Sequence, residues 1–204
     1  MIAFKLIHEE VVKKQSLHTT LKNHYCNYGD AGNGYERKEY LRGYTNESED
    51  INEYHWNGNT HDNDKNDQTR HLDEAMKVHK TPHPLTLYSG VRGDPRKRAN
   101  ALGIVKHPAY LSTSINPKIA KNFANSQIER SYSLKEGHTH TLKIHVPQGH
   151  PGAYVAHISE MPNEKEFILP RESNLRLLGH KTTKEHHAIY GDVTHHVHTA
   201  EVVP

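Results

Sequence analysis

The chain has 204 residues, 33% hydrophobic and 25% charged, with a formal net charge of +2. That length suits one domain, and a charge so near neutral offers no argument for nucleic acid or an anionic membrane as partner. The one cysteine, Cys26, excludes an intrachain disulfide and fits a reducing compartment.

No apolar run approaches the roughly 20 residues of a membrane span. The stretch from Met1 to Glu10 is too short and too soon acidic for a signal peptide, so a cytoplasmic location is expected. Over residues 1–24, Ile2, Leu6, Ile7, Val11 and Val12 set an apolar stripe at helical period. Residues 25–34 hold Gly29, Gly32 and Gly34 among Asn and Asp and read as a loop. A short helix is expected over 36–43. A second follows the capping residues of Thr45-Asn46-Glu47-Ser48 and reaches about Trp56. Residues 57–68, rich in Asn and Asp, read as a surface loop. Residues 69–80 read as a helix on the spacing of Leu72, Ala75, Met76 and His79, stopped by Thr81-Pro82-His83-Pro84.

Beyond residue 84 the pattern becomes that of strands. They are expected at 85–90, 109–114, 138–146, 153–158, 166–169, 174–178 and 190–203. The clearest is 138–146, where Leu142, Ile144 and Val146 alternate with polar residues. One helix interrupts them: Asn116-Pro117-Lys118 opens it with proline at the first helical position, and residues 126–137 read as loop. The expected fold class is α+β, with a helical part over 1–80 and a β-rich part over 85–204.

Twenty histidines are unusual. His196 and His198 would share a strand face, an arrangement able to bind metal. No carboxylate or cysteine lies beside them at a recognised spacing, so the expectation is an exposed polar strand face and no metal.

Three stretches carry possible chemistry. In Leu87-Tyr88-Ser89-Gly90-Val91-Arg92-Gly93, an arginine after a strand and between glycines can reach a phosphate as a bidentate donor; its bland counterpart is an exposed loop arginine. Ser112-Thr113-Ser114 ends a strand before a helix, where hydroxyls ordinarily cap. No G-x-S-x-G accompanies it, so a serine hydrolase is not indicated. In Glu164-Lys165-Glu166, followed by Phe167-Ile168-Leu169, the two acids at i and i+2 would project from one face of a strand. One such carboxylate can hold a sugar hydroxyl and stabilise positive charge developing on the ring, and the other can act as base. As two solvent-facing acids they would mean nothing.

Each motif alone is weak, but their order resembles the Arg–Ser–Glu class of mono-ADP-ribosyltransferases, the clostridial-toxin-like group. The surrounding segments, Leu85–Pro95, His107–Ser114, Ala120–Ala124, Ile144–Tyr154 and Glu164–Arg171, are similar to the bacteriophage-encoded branch, including the Mod-type enzymes that modify host proteins. The resemblance covers most of the chain from about residue 40.

It implies a single domain over 1–204: a split two-sheet β core that binds NAD, with an N-terminal helical lobe. NAD would be a consumed substrate and no cofactor would be needed; no G-x-G-x-x-G within a βαβ unit suggests hydride chemistry. Carried over, Glu166 is the catalytic glutamate on the ribose 2′-hydroxyl. Glu164 is the acceptor-side glutamate that accompanies arginine as target, and Ser112 orients Glu166. Tyr88, Ser89, Gly90, Arg92, Thr113, Ser114 and Phe123 line the NAD site, with Tyr110 a second candidate beside Phe123 for stacking on nicotinamide. Residues 157–163 would recognise the target, and 125–136 would fold over the phosphates. The implied partners are host proteins, of transcription or translation in phage enzymes of this kind, and the location is then the host cytoplasm. One departure stands: the family places arginine directly after the strand tyrosine, whereas Ser89 follows Tyr88 here. Arg92, Arg96 or Arg98 takes that role, or Ser89 and backbone amides do; Arg92 is the favoured of these.

Overall fold

The structure, a computed structural model, describes residues 17–26, 34–59, 61–130, 137–187 and 191–204. Residues 17–25 form helix α1 as far as it is described. Then come α2 (Gly34–Asn46), α3 (Ser48–Trp56) and α4 (Asn63–Val78). The strands are β1 (Leu85–Val91), β2 (Ile104–His107), β3 (Leu111–Ser114), β4 (His138–Val146), β5 (Ala153–Tyr154), β6 (Glu166–Leu169), β7 (Ser173–His187) and β8 (Gly191–Val203). Helix α5 (Pro117–Arg130) lies between β3 and β4. No described helix is long and apolar enough to cross a membrane.

The described strands form one eight-stranded mixed sheet in the order β2-β7-β8-β4-β1-β3-β6-β5. Only β4 and β8 run parallel. The two-sheet core expected from the resemblance is here continuous, but its thinnest seam is clear. β1 and β3 share a single register pair, Tyr88 with Ser114, whereas β1 and β4 share seven. One buried cluster joins both parts of the chain: Leu21, Leu41, Tyr44, Ile51, Leu72 and Met76 of the helices lie with Leu87, Ile144, Tyr154 and Phe167 of the strands. A half-buried bidentate pair ties them further. Arg171, just past β6, donates from Nε and Nη2 to Asp73 of α4, which also accepts from the Tyr110 hydroxyl at 2.7 Å.

Several boundaries differ from expectation, each for a local reason. α4 begins at Asn63, inside the segment read as loop. Asp62 caps it by accepting from Lys65 N–H at 3.0 Å, so this Asn- and Asp-rich run starts a helix instead of only turning. α5 runs to Arg130, its buried side Ala120, Ala124 and Ile128 at a spacing of four. Residues 153–158 extend only through Tyr154. The rest turns, with the N–H groups of Ile158 and Ser159 both donating to Val155 O at 2.9 Å. β7 continues far beyond 178 because its polar half, Lys181 to His187, is held by the backbone ladder to β8 and not by a buried face. The short strand β2 was not expected at all. Of the remaining expectations, residues 1–16, most of the 25–34 loop and 131–136 lie outside the described residues.

Candidate active site

A cleft of about 950 Å³ opens where α2 and α3 face β1, β3, α5 and the turn before β6. Both acids line it, but they do not share a strand face. Glu164 closes a 3-10 turn (Pro162–Glu164), and Lys165 adopts the left-handed conformation at φ 49°, ψ 47°. Only Glu166 belongs to β6. The pair is thus brought together by a turn that reverses through Lys165, not by strand alternation. Ser114 fixes that turn: its hydroxyl donates to Glu164 O at 2.5 Å and accepts from Asn116 N–H at 3.0 Å.

Glu166 is buried, with 8% of its surface exposed. Burial raises its pKa from 4.5 to about 7; a hydrogen bond from Ser112 opposes the rise and the Glu164 charge adds to it. Glu164 is half-buried, and desolvation raises its pKa too. Behind Ser112 stands a chain of hydroxyl and amide groups from the helical part. Asn52 Nδ2 donates to the Tyr44 hydroxyl at 3.0 Å, and that hydroxyl lies 3.2 Å from Ser112 Oγ. Tyr44 is fully buried. A consistent direction of donation runs Asn52, Tyr44, Ser112, Glu166, ending on the carboxylate.

The expected lining residues fall into two groups. Arg92 and Phe123 are the exposed members of the first group. Phe123 is 46% exposed, and Arg92 reaches across to α5, where Nε donates to Gln127 Oε1 at 2.7 Å. Tyr88 also lines the cleft and is half-buried. Others line it while their polar atoms are engaged in the scaffold. Thr113 Oγ1 donates to Phe167 O at 2.5 Å, and Ser89 Oγ donates to Ser112 O at 2.8 Å, bracing the thin seam between β1 and β3. Gly90 serves packing: a Cβ there would meet Ala124 N at 2.5 Å and Ala120 O at 2.6 Å, both backbone atoms of α5. Tyr110 is 1% exposed and bonded to Asp73, which makes it a core residue and leaves Phe123 as the exposed ring.

The three arginines separate clearly. Arg96 is bound to Asp94, its Nη2 2.6 Å from Oδ2, and does not line the cleft. Arg98 does, with its guanidinium 5.1 Å from the Trp56 ring centroid. Tyr44, Asn52 and Trp56 were not anticipated. They lie more than 50 residues before Ser112, and nothing in their local pattern marks them as anything but helix residues. Of the expected recognition loop, Met161 is 60% exposed and lines the cleft, and Glu160 pairs with Arg42 of α2 at 3.0 Å. The expected phosphate segment lies partly outside the described residues.

The sequence matches the ADP-ribosyltransferase exoenzyme family over residues 26–201. It is 32% identical over 102 residues to the NAD(+)–arginine ADP-ribosyltransferase EFV of Enterococcus faecalis, a match that spans 50% of this chain but only 19% of that protein. The fold is similar to that of Plx2a, an ADP-ribosyltransferase toxin from Paenibacillus larvae, with a TM-score of 0.71 at 19% identity over 94% of this chain and 97% of the toxin. It is also similar to the ADP-ribosylating toxin BECa of C. perfringens, with a TM-score of 0.68 at 15% identity over 95% of this chain and 48% of that one. A match over 176 of 204 positions, from residue 26 to residue 201, places this chain in the ADP-ribosyltransferase exoenzyme family.

Proposed function

We propose that this protein transfers a single ADP-ribose from NAD to an arginine side chain of a target protein and releases nicotinamide. The observation that carries the reading is the buried carboxylate of Glu166, held by Ser112, with Glu164 on the same cleft. The arginine acceptor is supported by Glu164 and by the name of the Enterococcus relative. The structural neighbour BECa is described with NADH, a dinucleotide of the size this cleft suits.

In this reading the glycosidic bond between the nicotinamide nitrogen and ribose C1′ breaks, and its electron pair leaves with nicotinamide. Ionised Glu166 bonds the ribose 2′-hydroxyl and offsets the positive charge that develops on the sugar. Glu164 accepts a proton from the incoming guanidinium, whose nitrogen then bonds C1′. Arg92, from the α5 side, meets the dianionic pyrophosphate, and Arg98 faces it from the α3 side. Phe123 offers a ring face for nicotinamide. The host proteins of a phage-infected cell are the target class that the sequence segments suggest.

The test is incubation with labelled NAD and a cell lysate, followed by mass spectrometry of labelled proteins. ADP-ribosylated arginine supports the reading. Free ADP-ribose without labelled protein makes the chain an NAD glycohydrolase, and no nicotinamide release from folded protein rejects both.

A further inference from the structure

His196 and His198 do not decorate an exposed strand face. His198 is 1% exposed and His195 8%, and His138, His140, His180, His196 and His198 stack as one cluster across β4, β7 and β8. The parallel register of β4 and β8 sets His140 beside His196 and Leu142 beside His198, so the rings of two strands interleave. Beside them, Asp94 arrives from the turn after β1, its carboxylate oriented by the Arg96 guanidinium and backbone N–H.

We propose that Asp94, His140 and His198 form a binding site for a divalent transition metal of the zinc class. Their ligand atoms lie within 4.8 Å of one another, a grouping found once among the described residues. His140 Nδ1 and His198 Nε2 are 3.1 Å apart, close to the roughly 3.3 Å between two nitrogens that each lie about 2.0–2.1 Å from a tetrahedral zinc ion. His198 Nε2 is 3.9 Å from Asp94 Oδ1, beyond the roughly 3.3 Å of a ligated pair, so the carboxylate has to move inward to complete the face. The donor set, two imidazoles and one carboxylate, suits a borderline ion over Mg²⁺ or Ca²⁺. For both facing nitrogens to ligate, each ring carries its proton on the far nitrogen; His198 Nδ1 makes no hydrogen bond among the described residues. Arg96 then stands as the orienting partner of a ligating carboxylate. The site does not depend on the proposed transferase activity. It would tie the loop that carries Arg92 and Arg98 to β4 and β8.

The test uses the full chain, stripped with chelator and reloaded with Zn²⁺ or Co²⁺. The wild type is expected to retain one equivalent of Zn²⁺ through gel filtration and to give the ligand-field absorption of tetrahedral Co²⁺. His140→Cys is expected to add a thiolate-to-cobalt charge-transfer band, a positive readout that does not rest on loss of folding. His140→Gln with His198→Gln is expected to weaken binding by more than about tenfold, and His186→Gln, on the exposed His186–Asp192 pair, to leave it unchanged. No retained metal in the wild type, full retention by the double variant, or cobalt-loaded His140→Cys without the new band would each overturn the proposal.

Discussion

Glu166→Gln is expected to separate stability from turnover. The substitution keeps the shape of the side chain and an acceptor for Ser112 but removes the ionisation. In the unfolded chain the carboxyl titrates near 4.5, and in the folded protein near 7. Below both values the two states hold the proton equally. Between them the unfolded chain ionises while the folded state stays protonated, so folded stability falls as pH rises through this window; above about 7 the penalty is constant. At about 1.4 kcal/mol for each tenfold, the full penalty is at most about 3.5 kcal/mol. Glu166→Gln escapes it. Its stability relative to wild type should therefore grow by up to about 3.5 kcal/mol between about pH 4.5 and pH 8.5, measured by urea denaturation at each pH. Nicotinamide release should at the same time fall by two or more orders of magnitude, as expected when a group that stabilises transition-state charge is lost. In the wild type, release should rise with pH through about 7 as Glu166 ionises. A stability difference that does not change with pH, or turnover close to wild type in the variant, would refute the reasoning.

Glu164→Gln should lose transfer to protein while retaining NAD hydrolysis, read as free ADP-ribose against labelled target; equal loss of both would remove its acceptor-side role. Tyr44→Phe takes away the hydroxyl between Asn52 and Ser112 and leaves half-buried partners without it. The expected cost is about 1–3 kcal/mol in stability, with a lower kcat at unchanged NAD KM. Gly90→Ala should destabilise by about 1–3 kcal/mol in a thermal melt, because the atoms it meets at 2.5 and 2.6 Å are backbone of α5 and cannot swing aside. Arg92→Ala should raise the NAD KM about tenfold, the loss of roughly one charge-assisted hydrogen bond, and an unchanged KM would move the phosphate contact to Arg98.

Local pattern carried a good deal of this protein. The alternation of Leu142, Ile144 and Val146 gave β4 with the bounds read for it, and Pro117 marked the start of α5. Ser112, Glu164 and Glu166 could be named because their order along the chain is itself a signal. Where the backbone ladder or a cap, and not a buried stripe, holds an element, the pattern is silent: the polar half of β7 and the first turn of α4 have no apolar period to read.

The chain by itself determined the residue types of the site and their order. Folding alone decided how they meet. A left-handed Lys165 sets Glu164 beside Glu166, where strand alternation had suggested a shared face. Tyr44 and Asn52 reach Ser112 only because α2 and α3 pack against the sheet, and Arg96 is withdrawn from the cleft by Asp94 two residues away. The histidines show the limit most clearly. Along the chain, His196 and His198 have no carboxylate neighbour. The parallel pairing of β4 with β8 brings His140 to them, and the turn after β1 brings Asp94, about a hundred residues distant in sequence. Side-chain period reports which face a residue takes, but only the register between strands reports what it faces.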